Sequence, residues 1–147
     1  MTAAWPVVVN RLVALLPTLP GWSDVAVYDG PPVTADAPTT YVTVGFVPGE
    51  DFGGNYEQTR GDANLLEEVG TVRSEVVCLT GDVDLSTVRN RAFALVDAWE
   101  AAVSADHTLG VLASSGTASL SVDVAPSQTT GGSEQRLVVT LSYFTRR

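Results

Sequence analysis

Imidazole and thiol groups, which catalysis uses most often, are scarce in this 147-residue sequence: it has one histidine, His107, and one cysteine, Cys78. His107 follows a predicted helix, where an imidazole more often interacts with the negative end of the helix dipole than acts as a general base. Cys78 lies inside a predicted strand, where a buried thiol behaves as a small hydrophobic side chain. We therefore expect no catalytic residue, and we expect that the protein is not an enzyme.

Acidic and glycine-rich stretches are the sequence's candidates for metal and phosphate sites. Asp82 and Asp84 are spaced as in a calcium loop, but the bidentate glutamate that closes such a loop is missing. Asp84 is better explained as the N-cap of a helix, with Asp82 adding negative charge at the positive end of the helix dipole. Residues 53–57 (GGNYE) contain no lysine and do not resemble a phosphate-binding loop. The sequence thus predicts no metal site and no cofactor.

The composition predicts a folded, acidic chain. Seventeen acidic residues against eight basic ones, all arginine, give a net charge of −9. This balance argues against non-specific nucleic-acid binding and against binding to anionic membranes, both of which need clustered positive charge. The length indicates one domain spanning 1–147. The longest apolar stretch, 5–19, is too short and too interrupted to span a membrane, so we expect the chain to be made and to remain in the cytoplasm.

The elements that would position any site follow from hydrophobic periodicity. Helical spacing predicts helices at about 6–16 and 85–106, and the second has an apolar stripe formed by Val88, Ala92, Leu95, Val96, Trp99 and Val103. Alternation predicts strands at 25–28, 40–47, 71–80, 117–125 and 134–145, with a polar turn at 126–133. The order α-β-β-β-α-β-β predicts an α+β fold in which two helices pack on a mixed, mainly antiparallel sheet of about five strands.

Residues 48–64 differ from the rest, because they combine glycines with acidic side chains and two aromatic residues. We predict a long loop or arm here, and two interpretations remain open. It is either a solvated, mobile loop or an arm that orders against a neighbouring molecule, with Phe52 and Tyr56 as anchors. The C-terminal arginines could pair with such an arm on another copy. The residues predicted to interact are Glu50, Asp51, Phe52, Tyr56, Glu57, Arg60, Asp62, Arg146 and Arg147.

Five stretches carry a resemblance to a known family. In order along the chain they are residues 27–32 (VYDGPP) after a short amphipathic helix, 41–45 (YVTVG), 76–84 (VVCLTGDVD), 89–97 (RNRAFALVD) and 136–143 (RLVVTLSY). Taken together, and over most of the chain, the sequence resembles the tail terminator proteins of long-tailed, siphovirus-type bacteriophages. The segment 48–68 is longer than the corresponding segment that the family pattern leads us to expect.

The resemblance implies a structural protein of the virion. Such a protein forms a hexameric ring on the head-proximal end of the tail tube, stops tube elongation, and offers the surface that joins the neck. Its implied partners are further copies of itself, the tail tube protein and a head-completion or neck connector protein, and DNA passes through the lumen without specific binding. Six copies would carry 6 × −9 = −54 charges, and an acidic lumen would repel DNA. We expect residues of 48–64 to face the lumen or an adjacent ring.

Two alternatives to the terminator remain. One is a head-completion or neck adaptor protein between portal and tail. The other is a small cytoplasmic ligand-binding domain or enzyme that uses His107 and the acidic loop.

Overall fold

The computed structural model describes residues 3–32, 38–61, 63, 65–81, 84–129 and 132–146. Two helices, α1 (Trp5–Leu15, continued by a 3-10 turn at Leu16–Thr18) and α2 (Leu85–Ala105), accompany six strands. The strands are β1 (Ala26–Asp29), β2 (Thr40–Val44), β3 (Gly54–Arg60), β4 (Leu66–Thr80), β5 (Thr117–Thr129) and β6 (Gly132–Arg146). The predicted α+β class and element order are confirmed.

All six strands form one sheet, with the order β1-β2-β4-β6-β5 and with β3 paired to β4. Among the strand pairs that the described residues form, only β1–β2 is parallel. The central strands β4 and β6 are 15 residues long and pair along nearly their whole length. The other edge of β4 is shared, because β2 pairs with residues 74–78 and β3 pairs with residues 66–72. Strand β3 and the first half of β4, residues 54–72, are called the β3–β4 hairpin below.

Both helices pack on the same face of the sheet and form one core with it. All six residues of the predicted α2 stripe are buried, so that prediction is confirmed. Trp99 of α2 meets Trp22 edge to face, with ring centroids 6.3 Å apart, and the Trp22 indole N–H donates to the carbonyl of Leu95 at 3.1 Å. Asp84 is the N-cap of α2, as predicted: its carboxylate accepts the Ser86 N–H at 3.1 Å.

The structure differs from the sequence prediction within 48–64, where residues 54–60 form strand β3 and not a loop. Strand β4 also begins at Leu66, five residues before its predicted start, and β5 and β6 extend into the predicted polar turn. The cause is pairing: β3 is polar and has no apolar alternation, but the edge of β4 offers it a continuous ladder. Strand formation depends on cross-strand partners more than on intrinsic preference.

Candidate interaction surface

The β3–β4 hairpin lies at one end of the sheet and adds little to the core. Every residue of β3 after Gly54 is exposed, and within the described parts of the chain its one strand partner is β4. The hairpin is closed at its tip by the Gly61 N–H, which donates to the carbonyl of Leu65 at 2.9 Å. A strand that is exposed on both faces gains little from its own chain beyond backbone hydrogen bonds.

Apolar side chains are exposed around this hairpin. Phe52 is 75% exposed, Val69 53%, Tyr56 50% and Leu65 38%, which makes four of the seven large apolar side chains that are exposed in the described structure. These side chains lie on both faces of the hairpin, because Tyr56 pairs with Gly70 and Val69 with Glu57. Exposed apolar groups concentrated in one part of a molecule mark surfaces that meet other molecules. The structure therefore leaves Phe52 and Tyr56, the two predicted anchors, open to solvent.

Glu68 holds the hairpin in place although its carboxylate is buried, with 3% of the residue exposed. The carboxylate accepts the Ala4 N–H at 3.0 Å, the Gln58 side-chain amide at 2.8 Å and the Tyr143 hydroxyl at 2.6 Å. Because Ala4 precedes the first turn of α1, the negative charge lies at the positive end of that helix dipole. One side chain thus ties α1, β3 and β6 together, and the hairpin is preorganised.

Gly70 makes room for the Tyr143 side chain. A Cβ atom built on Gly70 would lie 2.4–2.6 Å from the ring and hydroxyl atoms of Tyr143. The tyrosine therefore lies directly over the β4 backbone, and its hydroxyl reaches Glu68. Sequence reasoning missed both Glu68 and Gly70. A lone glycine inside a strand indicates close approach by another group, so the sequence could have predicted a packed side chain over Gly70.

Glu50 is engaged within the chain and not offered to a neighbour. It forms a bidentate ion pair with Arg73, with both N–O distances 2.7 Å. The hydrogen bonds that Arg73 donates to the Glu50 carboxylate raise the pKa of the Arg73 guanidinium above its usual value, although burial opposes this effect. Arg73 also donates to the Thr140 hydroxyl at 3.2 Å. This pair fastens the loop before β3 to the sheet.

A second ion pair lies on the outer face of the sheet, the face that α1 and α2 do not cover. Arg136 contacts the carboxylate of Glu75 at 2.7 Å, and it also pairs with Glu134. Glu75 is 5% exposed. Burial raises the pKa of the Glu75 carboxyl above its usual value, and Arg136 offsets only part of this effect.

Arg146 binds within its own chain. Its guanidinium contacts Glu67 at 2.5 Å and lies 5.9 Å from the centre of the Phe144 ring. The predicted pairing of Arg146 with an arm on another copy stays a prediction. Within the chain, the acidic partner of Arg146 is Glu67 of β4. Asp51, Glu57 and Arg60 are exposed, whereas the predicted interaction residues Asp62 and Arg147 lie outside the described residues.

Two shallow depressions adjoin each other at the base of the hairpin. One has a volume of about 350 Å³ and the other about 440 Å³, and both are lined by Asn55 and Thr71. Glu57, Val69 and Ser142 help to line the first. Their walls are amides, hydroxyls, carboxylates and exposed apolar groups, which suits a contact surface for a protein better than an enclosed ligand site.

The histidine and the cysteine lie away from this surface. His107 is exposed in the turn after α2 and lines neither depression. Cys78 is buried in β4, and burial raises the pKa of its thiol to about 11. Within the described ranges, no three His, Cys, Asp or Glu side chains are grouped as metal ligands. No helix in those ranges is long and apolar enough to cross a membrane.

Comparisons with known proteins find similarity among solved structures. No family model matches the sequence, and no curated protein matches it. Among solved structures, a chain of "Virion of native gene transfer agent (GTA) particle" aligns with 94% of this chain and 90% of its own length, at 16% identity and a TM-score of 0.49. An alignment at this identity and TM-score establishes neither a family nor a function.

Proposed function

We propose that this protein is a tail terminator of a long-tailed phage: a virion protein that forms a ring on the head-proximal end of the tail tube, stops tube elongation and offers the surface that joins the neck. The observation that carries the proposal is the β3–β4 hairpin. It is held firmly by Glu68 and yet exposes Tyr56, and Phe52, two residues before the hairpin, is exposed as well. The ordered resemblance of the sequence to that family supplies the rest of the support.

The exposed aromatic residues can supply much of the free energy of assembly. An aromatic side chain presents about 150–250 Å², so burying the open parts of Phe52 and Tyr56, 75% and 50%, would contribute about 5–8 kcal/mol for each interface at ~25 cal/mol per Å². Association costs part of this in lost freedom. A preformed hairpin keeps that cost low, because its backbone is already ordered.

The charges suit a conduit for DNA. Six copies would carry −54 charges, since each copy carries −9. Near the hairpin, the guanidinium groups of Arg73 and Arg146 already bind carboxylates. Phosphates that pass a ring of this composition would meet mainly negative charge and engaged arginines, so we expect passage without specific binding.

The proposed role needs shape complementarity and no covalent chemistry. The thiol of Cys78 is buried, and its pKa is about 11. At neutral pH it therefore stays protonated, and a protonated thiol is a poor nucleophile. His107 is exposed. These observations favour the proposal that the protein is not an enzyme.

Deletion of the gene from the phage genome that carries it tests the proposal. We expect tails of uncontrolled length and filled heads without tails, and a plasmid copy of the gene should restore normal particles. A plasmid copy with Phe52→Ala and Tyr56→Ala should restore them poorly. Phe93→Ala, which removes an exposed phenylalanine from α2 (37% exposed), is the matched control and should complement.

Two other outcomes would decide against the terminator role. Normal-length tails attached to heads after the deletion would refute it. Free tails of normal length beside filled heads would instead assign the protein to the head-completion or neck adaptor, the alternative that acts at the same junction.

A further inference from the structure

The hairpin end of the sheet has an unpaired strand on each side. There the strand order is β3-β4-β6-β5, and neither β3 nor β5 has a second strand partner among the described residues. The two edges are 7 and 13 residues long. An unpaired edge presents a row of N–H and C=O groups that can template another strand.

The two edges run in opposite directions. Each neighbouring pair at this end is antiparallel, from β3 through β4 and β6 to β5, so β3 and β5 are antiparallel to each other. A rotation about an axis along the strands keeps every strand direction. It therefore brings β5 of one copy beside β3 of the next in antiparallel orientation.

The backbone hydrogen bonds also alternate correctly for such a joint. Gly53 accepts from the Arg73 N–H at 2.8 Å, and the Gly61 N–H donates to Leu65. In an antiparallel pair, alternate residues bond inward and the others point outward. The odd-numbered residues of β3 therefore bond to β4, and the N–H and C=O groups of Tyr56 and Gln58 point away from it.

The same alternation can be followed across the sheet to β5. Even-numbered residues of β4 bond to odd-numbered residues of β6, and even-numbered residues of β6 bond to odd-numbered residues of β5, in the observed registers. Leu120 and Val122 therefore point their backbone groups outward. Their side chains lie on the helix-covered face, like Tyr56, because Tyr56, Gly70, Tyr143 and Ala118 form one cross-strand row.

The first half of β5 and the middle of β3 have few of the side chains that protect a strand edge. Residues 117–122 of β5 contain no charge and no proline, the two devices that most often protect an edge. In β3 the outward-pointing residues Tyr56 and Gln58 are also uncharged, and the charged Arg60 lies at the end of the strand. In β5, Asp123 and Pro126 follow the uncharged stretch. Tyr56 is half exposed, and beside β5 of a second copy its ring would lie next to the aliphatic side chains of Leu120 or Val122, a favourable cross-strand pair.

We infer that the partner of the free β3 edge is a second copy of this chain: β5 of one copy adds to β3 of the next, and the repeated head-to-tail contact makes a continuous sheet. The contact joins two different surfaces, so it closes into a ring when the rotation closes. The inference rests on the proposed function for the ring and names the surfaces that build it. Strands β2 and β3 share one edge of β4, and β1 pairs with the outer side of β2. The position beside β3 is therefore open on the side of the hairpin tip and is occupied by β1 on the other side. The incoming β5 must be shifted toward the hairpin tip. Strands of a closed barrel are staggered in the same way.

Cysteine pairs test this joint directly. Tyr56→Cys is combined in turn with Leu120→Cys, Val122→Cys and Val124→Cys, and the purified chain and assembled particles are oxidised. Directly opposite Cβ atoms in a sheet are about 4.5–5.5 Å apart, so at least one pair should give a ladder of covalent multimers. The native Cys78 is 1% exposed and should stay reduced. The inference is overturned if no pair gives a ladder in either sample, if Tyr56→Cys alone gives abundant dimers, or if the cross-link joins a different protein.

Proline variants separate this inference from the proposed function. Tyr56→Pro removes an outward N–H and leaves the β4 ladder intact, and Tyr56→Thr is the control that keeps the N–H. Both variants lose the aromatic ring and differ in the N–H. In the deletion strain we therefore expect Tyr56→Thr to complement partly and Tyr56→Pro to form no rings. Equal and detectable complementation by both would overturn the joint and leave the terminator role standing, and if neither complements, the Val124 pair below decides. If circular dichroism shows that Tyr56→Pro is unfolded, Val124→Pro against Val124→Thr tests the opposite edge in the same way.

Discussion

Replacement of Trp99 tests how the helices are held on the sheet. The residue is fully buried and meets Trp22 at 6.3 Å. A buried tryptophan removes about 150–250 Å² from water, which at ~25 cal/mol per Å² amounts to about 4–6 kcal/mol. Its indole N–H has no acceptor among the described residues, and removing an unpaired buried donor returns about 1–3 kcal/mol. These two effects together leave a loss of about 1–5 kcal/mol. The cavity that Trp99→Ala leaves adds to this loss, so we expect the free energy of unfolding to fall by about 3–5 kcal/mol.

The phenylalanine variants make the reasoning sharper. Trp99→Phe keeps much of the ring and removes the unpaired N–H, so it should cost less than about 1.5 kcal/mol. Trp22→Phe is the matched control, because its buried N–H donates to Leu95 at 3.1 Å. Its loss leaves that carbonyl without the bond and should cost about 1–3 kcal/mol more than Trp99→Phe.

Urea denaturation followed by circular dichroism measures all three variants. The reasoning is refuted if Trp99→Ala lowers the free energy of unfolding by less than about 1 kcal/mol, since the loss of this much buried apolar area should destabilise the fold by more. It is also refuted if Trp99→Phe destabilises the protein as much as Trp22→Phe does, because the Trp99 N–H would then form a hydrogen bond that stabilises the fold.

Three further variants test the base of the hairpin and the outer face. Glu68→Gln should lower the free energy of unfolding by about 2–4 kcal/mol, because it weakens buried hydrogen bonds to a charged acceptor; Glu67→Gln, in an exposed pair, should cost no more than ~1 kcal/mol, and equal losses in urea titrations would contradict this. Gly70→Ala should cost about 1–3 kcal/mol in the same titrations, because a Cβ would lie 2.4 Å from Tyr143; unchanged stability would mean that the ring moves freely. Glu75→Gln should change the pH dependence of stability. The raised pKa of Glu75 means that wild type loses stability as the pH rises above 4.5 through that pKa. Glu75→Gln should not show this loss. If the difference in free energy of unfolding between wild type and the variant does not change with pH, Glu75 does not cause the pH dependence.

The helices could be predicted because their information is local. The apolar stripe of α2 recurs at helical spacing, and Asp84 caps the helix through a residue two positions away. Both signals lie within one or two turns of chain. The strands with apolar alternation were predicted for the same reason, with ends off by a few residues.

Strand β3 and the Glu68 cluster could not be predicted in this way. The ladder of β3 is supplied by β4, and no apolar alternation in 54–60 signals it. The partners of Glu68 lie 64 and 75 residues away at Ala4 and Tyr143. Of the predicted interaction residues, Phe52 and Tyr56 proved exposed, whereas Glu50 and Arg146 proved to be bound within the chain.

The amino-acid order alone determined the α+β class, the buried face of α2, the negative charge and the scarcity of catalytic groups, because composition and short-range periodicity carry that information. Tertiary structure decided which acids are engaged, how firmly the hairpin is held, and which strand edges stay open. Those properties depend on groups far apart in sequence that meet only when β4 and β6 pair. The hydrogen bonds and ion pairs they form are fixed by distances that no local pattern encodes.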